Sequence, residues 1–244
     1  MRRACLILAS ACLLLIVGCR DYDLRLGKTL DEMKYQQRLE KNLEKAPLKG
    51  TLQAESIYVR PPKGLAGPTK TFTLTVVEPG KFDLENSFID EAKPASLHVL
   101  ARHKKPKAPP KKGAAPAPAA VRGDFTNEVI ELVKAAYGVE DLTPAKFKPV
   151  TKQHEGRPNN YKEVKLDLNA KEVVIYLYGD KNGPYNIAMI FEYLKTEVNN
   201  LSPKIGLSLE AFAVGDAANR AFSGGGEEGG AEDTLGDGGV AVPM

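Results

Sequence analysis

Apolar and polar positions alternate along this chain in ways that separate strands from helices. Glu172 to Tyr178, "EVVIYLY", and Tyr185 to Tyr193, "YNIAMIFEY", are rich in β-branched, aromatic and aliphatic residues and flank Gly179-Asp180-Lys181-Asn182-Gly183. Asn-Gly tolerates the positive φ of a tight hairpin, so the two runs are expected to pair antiparallel. Tyr161 to Leu168 alternates imperfectly, and Lys148 to Gln153 is a shorter strand candidate. Earlier in the chain, Thr71 to Val77, "TFTLTVV", alternates cleanly. Ser56 to Arg60 and Ser96 to Ala101, "SLHVLA", also read as strands, whereas Phe82 to Glu91 is apolar without a period.

Three segments carry helical spacing instead. From Asp124 to Tyr137, the residues Phe125, Val129, Leu132, Val133 and Ala136 recur in steps of three and four along one face. Asp124 or Thr126 is placed to cap this helix, and Gly138 to end it. From Thr29 to Lys45, Thr29 and Glu32 have capping-box spacing, and apolar residues form two short stripes: Leu26, Leu30, Met33, then Tyr35, Leu39, Leu43. Neither stripe sustains a heptad, so the expectation is a solvated spacer helix rather than a coiled coil with a partner. Pro203 to Ala213 reads as a C-terminal helix that follows a break at Pro203. The elements add up to an α+β fold, an antiparallel sheet with flanking helices, preceded by a tether helix.

Charge divides the chain further. The 244 residues carry a net charge of only +3. Yet from Ala92 to Gly123 there is no acid, and from Ser223 to Met244 there is no base. Residues 103–123, "HKKPKAPPKKGAAPAPAAVRG", combine prolines and alanines with Lys104, Lys105, Lys107, Lys111 and Lys112. Such a segment builds no core and reads as a disordered linker. The organisation is therefore a leader (1–18), a tether and helix (19–50), the first part of the α+β domain (51–102), the linker (103–123), the second part of the domain (124–222) and a Gly-rich acidic tail (223–244).

The leader begins with Arg2 and Arg3, and Ala4 to Val17 is free of charge. That run suits a signal peptide and is too short to span a bilayer as a helix. Its end, Ile16-Val17-Gly18-Cys19, resembles the lipobox of bacterial lipoproteins. The resemblance implies cleavage before Cys19, acylation of its sulfur, and anchoring to the lipid bilayer of the cell envelope. Arg20, not Asp, follows the cysteine, which favours the outer membrane. The cysteines are Cys5, Cys12 and Cys19, so the mature chain would keep no free thiol. A cysteine nucleophile, a thiolate metal site and a disulfide framework are thereby excluded.

Motifs for other chemistry are missing from the sequence. There is no G-x-S-x-G, no P-loop and no dinucleotide fingerprint. The histidines are His98 in a strand, His103 in the linker and His154 in an exposed-looking turn, with no second ligand at metal spacing. Tyr176, Tyr178, Tyr185 and Tyr193 read as sheet packing. No catalytic residue, metal or cofactor is assigned. The linker lacks aromatics to stack on bases, so nucleic acid is not an expected partner. Its lysines suit an anionic surface, either lipid headgroups or peptidoglycan carboxylates.

The strand ending in "IYVRPPKGL", the capped helix, the strand hairpin and the closing "LSPKIGLSLEAF" together resemble the PsbP-like fold in their order. That resemblance implies a binding or accessory role; separately from it, the expected partners are an envelope protein or peptidoglycan. The rival expectations are an envelope hydrolase that uses carboxylates and a structural protein that acts through the basic linker.

Overall fold

The computed structural model describes Tyr22, residues 24–69, Leu74, and residues 81–104, 123–154, 157–179 and 183–223. The leader, Cys19, the tail beyond Ser223 and most of the "TFTLTVV" strand lie outside the described residues.

The chain folds as α+β around a seven-stranded antiparallel sheet. A first helix, α1 (Tyr22 and 24–42 among the described residues), leads into the short α2 (Thr51–Ala54) and β1 (Ile57–Tyr58). β2 (Ala66–Thr69), β3 (Leu84–Asp90) and β4 (Ala95–His103) follow, then α3 (Phe125–Tyr137). The second run is β5 (Lys148–His154), β6 (Arg157–Leu168), β7 (Lys171–Tyr178) and β8 (Tyr185–Leu194). The chain closes with α4 (Val198–Glu210), β9 (Ala213–Val214) and α5 (Asp216–Phe222). The strand order is β2-β3-β4-β8-β7-β6-β5. Two meanders, one on each side of the basic insertion, therefore join where β4 meets β8. The expected β7–β8 hairpin is present, in register from Lys171↔Leu194 to Tyr178↔Ile187.

At the central strands β4, β7 and β8, both sheet faces are buried. On one, Leu97, Val99, Val174, Tyr176, Met189 and Phe191 pack under α4, α2 and the β1–β9 ribbon, which deliver Leu201, Ile205, Leu209, Leu52 and Ile57. On the other, Leu100, Val173, Ile175, Ala188 and Ile190 meet Phe125, Val129, Ile130, Leu132 and Val133 of α3. Asp124 accepts the backbone N–H of Asn127 and caps α3, and Gly138 ends it at φ 67°, a left-handed conformation that glycine adopts without strain.

Two helix expectations are corrected. α1 is already helical before Thr29, whose hydroxyl donates to the Arg25 carbonyl 3.0 Å away, so Thr29 is an interior residue and not a cap. Pro203 lies inside α4 and breaks nothing. The helix runs through it because Leu201, Ile205 and Leu209 all bury against the sheet.

Arg102, near the end of β4, is buried and binds two backbone segments beside it. Its guanidinium donates to the Lys81 carbonyl (2.6 and 2.9 Å) and the Gly123 carbonyl (3.1 Å), and pairs with the carboxylate of Glu128 on α3. The rings of Phe82 and Phe125 lie 5.5 Å from it. Glu128 also accepts the Gly123 N–H at 2.7 Å. Residues 102 and 123 are thus held together, and the basic insertion starts and ends at one point of a continuous sheet.

Removing one partner of a buried ion pair strands the other. Glu128→Ala should destabilise the fold by about 3–5 kcal/mol in urea unfolding followed by circular dichroism, and Arg102→Met with Glu128→Leu should restore much of it. A loss below about 1 kcal/mol for Glu128→Ala, the cost of an exposed pair, would contradict this role.

Candidate functional site

The polar groups gathered on the α3 face of the sheet are the first candidates for chemistry. Ser96 and His98 are two residues apart on β4 and so point to the same face, and Ser87 faces His98 across the β3–β4 register. Ser87 Oγ lies 2.9 Å from His98 Nδ1, and Ser96 Oγ lies 3.0 Å from Nε2. A neutral imidazole donates from one nitrogen and accepts at the other, so one serine accepts its proton and the other donates to it. A serine beside a histidine resembles a nucleophile and its base. Here Ser87 is 1% and His98 0% exposed, so no substrate reaches either. Burial lowers the His98 pKa to about 4, against a weaker upward pull from Glu192, and keeps the ring neutral. The cluster is a satisfied polar insert in a core.

Glu192 of β8 pairs with Ser96 in the ladder and extends the cluster outward. It accepts the Tyr137 hydroxyl at 2.9 Å and the Lys171 ammonium at 2.5 Å. Burial and this carboxylate hold the Tyr137 phenol above its ordinary pKa. Tyr137 and Lys171, with Asp167, Leu168, Asn169 and Ala170, line a cavity of about 450 Å³ at the β6–β7 turn. Its charges are already engaged, Lys171 by Glu192 and Asp167 by Lys195. Among the described residues, no three His, Cys, Asp or Glu side chains converge as metal ligands.

The opposite face carries a tyrosine group. Tyr161 contacts Tyr176 and Tyr178, and Tyr161 and Tyr178 contact Phe212, through edge-on and tilted rings. Tyr176 donates to Glu163 (3.0 Å), Tyr193 to Glu172 (2.9 Å), Tyr185 to Glu55 (2.8 Å) and Tyr161 to the Leu209 carbonyl (2.8 Å). Desolvation raises the pKa of all four phenols. This is the packing arrangement expected of these residues, and it uses Tyr161 as well.

The third polar region is where α1 docks. Leu39 and Leu43 bury against Leu207 of α4. Arg38 meets Glu210 at 2.9 Å, and Ser208 donates to the Arg60 carbonyl at 2.6 Å. The "RPPKG" stretch receives the helix end through Glu44 N–H to the Pro61 carbonyl and Lys63 N–H to the Asn42 carbonyl, both 2.8 Å. Tyr35 stacks on His154 with ring centroids 3.3 Å apart.

Several sequence expectations find their place here. His98, placed in a strand by the sequence, sits in the interior strand β4 and is fully buried. His154, read as exposed, is half-buried under Tyr35 with Glu32 3.4 Å away. His103 ends β4 and pairs with Glu55 at 3.0 Å. Lys104 is exposed beside the start of the insertion, and its backbone N–H donates to the Pro184 carbonyl. Ile16, Val17, Gly18, Cys19, Lys105, Lys107, Lys111 and Lys112 lie outside the described residues. Ser87, Glu192, Tyr137 and Arg102 went unsingled by sequence reasoning. Only the two-residue spacing of Ser96 and His98 hinted at the shared face.

No family model and no curated protein sequence matches the chain. Among solved structures, it is similar to cyanobacterial PsbP (CyanoP) from Synechocystis sp. PCC 6803, with a TM-score of 0.40 and 12% identity over 66% of this chain and 88% of that one. A likeness of that size concerns the arrangement of strands and helices alone.

The unfolded chain protonates His98 near its ordinary pKa of 6.5, and the folded chain only near 4. Stability from this residue is therefore complete above about pH 6.5 and is lost as pH falls toward 4, by about 3 kcal/mol. Urea unfolding of wild type and His98→Gln at both ends of that window reads the difference. Equal pH slopes for the two proteins would refute the burial of a neutral imidazole.

Proposed function

We propose that this chain is a lipid-anchored lipoprotein of the cell envelope, seated in the outer membrane, whose α+β domain acts by binding or assembly rather than catalysis. The observation that carries this reading is Ile16-Val17-Gly18-Cys19 behind a basic start and an apolar run. The docking of α1 supports it. A helix whose described residues begin at Tyr22, three positions after Cys19, is fixed to the domain by Leu39, Leu43 and Arg38, so an anchor at the cysteine would hold the domain close to the membrane. The closed, fully bonded state of the Ser87–His98–Ser96 cluster favours binding over catalysis. The lysines between the tied ends at Arg102 and Gly123 supply positive charge for an anionic surface, lipid or peptidoglycan. An envelope protein is the other partner this reading admits.

Cells expressing the wild type should incorporate radiolabelled palmitate into the protein, and cells expressing Cys19→Ser should not. Equal labelling of the two would end the lipoprotein reading.

A further inference from the structure

α1 carries two apolar stripes that point in different directions. At 3.6 residues per turn, Tyr35, Leu39 and Leu43 occupy one arc of about 80°, and Tyr22, Leu26, Leu30 and Met33 another, with their centres about 140° apart. The first arc is the docked one. The second is exposed: Tyr22 67%, Leu26 44%, Leu30 47% and Met33 54%. Four large apolar side chains in a row over three turns form a patch, and Leu24, 58% exposed, stands apart from it on the other side of the helix.

The position of the patch along the chain identifies what covers it. Tyr22 is three residues after Cys19, so their Cα atoms are at most about 11 Å apart. The headgroup layer is about 5–8 Å deep on each side of the hydrocarbon. With acyl chains on Cys19 in the hydrocarbon, the first turn of α1 begins in or just above the headgroups. If the helix stood upright, Met33 would be carried about 17 Å beyond Tyr22 and into water, together with Leu30. If it lies flat, all four side chains stay in the interface, as in amphipathic helices that bind membrane surfaces.

We infer that the first three turns of α1 lie in the membrane interface, with Tyr22, Leu26, Leu30 and Met33 turned into the lipid and the domain docked on the other side of the helix. This rests on the lipoprotein reading. The helix is then a membrane-seating device that fixes the orientation of the domain, not a spacer that lifts it.

The test uses the full-length protein, purified from membranes and reconstituted in phosphatidylethanolamine–phosphatidylglycerol vesicles. Leu26→Cys, Leu30→Cys and Met33→Cys carry a fluorophore, and Asp31→Cys, on another side of the helix, serves as the control. A nitroxide on the upper acyl chain should quench the three stripe labels and spare the label at 31. If palmitate is incorporated but the stripe labels are quenched no more than the control, the interfacial helix is overturned and the anchor stands. If the stripe labels are shielded from water without vesicles, in proportion to protein concentration, a second copy covers the face and the inference again fails. If palmitate is not incorporated, the anchor and the inference fall together.

Discussion

The antiparallel ladder between β4 and β8 is the joint on which the rest of the molecule depends. It runs from Ser96↔Glu192 to His103↔Tyr185 and unites two meanders that are separated along the chain by the basic insertion and α3. Leu97 beside Phe191 and Val99 beside Met189 form the centre of one face, and Leu100 beside Ala188 the centre of the other. Each of these side chains is at most 1% exposed. Strands buried on both sides must be apolar at every position, and β4 and β8 come close to that. Where they depart from it, the polar residue has a partner: His98 with two serines, Glu192 with Tyr137 and Lys171.

This joint explains how the fold accommodates a long lysine- and proline-rich insertion in its middle. Loop-closure entropy grows only slowly with length, so the insertion costs little provided its ends are fixed. Arg102 fixes them. It sits one register step from the end of the ladder and binds the Gly123 carbonyl and Glu128 on α3. The same residue orders the entry to β3 through the Lys81 carbonyl. A single guanidinium with several fixed donors is suited to gather separate backbone carbonyls in this way.

The repeating elements were legible in the sequence because local chemistry and tertiary packing agree there. The β7–β8 hairpin and α3, with its Asp124 cap and Gly138 stop, are examples. Elements defined by long-range burial were less legible. β3 has no apparent period because Leu84, Asn86, Ser87 and Phe88 are all buried, with Ser87 reserved for His98. α4 contains a proline that local rules read as a break, and burial of its apolar face overrides them. The two stripes of α1 were visible as spacing, but nothing local shows which of them meets the domain. That depends on Leu207 and Glu210, more than 160 residues away. The Ser87–His98–Ser96–Glu192 cluster drew its members from three strands, so it could not be assembled before their registers were known.

Native-state hydrogen exchange of the full chain tests the dependence on β4–β8 most directly. If this ladder is the joint, its amides are the slowest to exchange, and those of β4 and β8 open together with the same free energy, equal to that of global unfolding. If the β2–β4 meander opens on its own while β5–β8 stays protected, the two halves are separate units and the ladder is a contact between them, not the foundation of the fold.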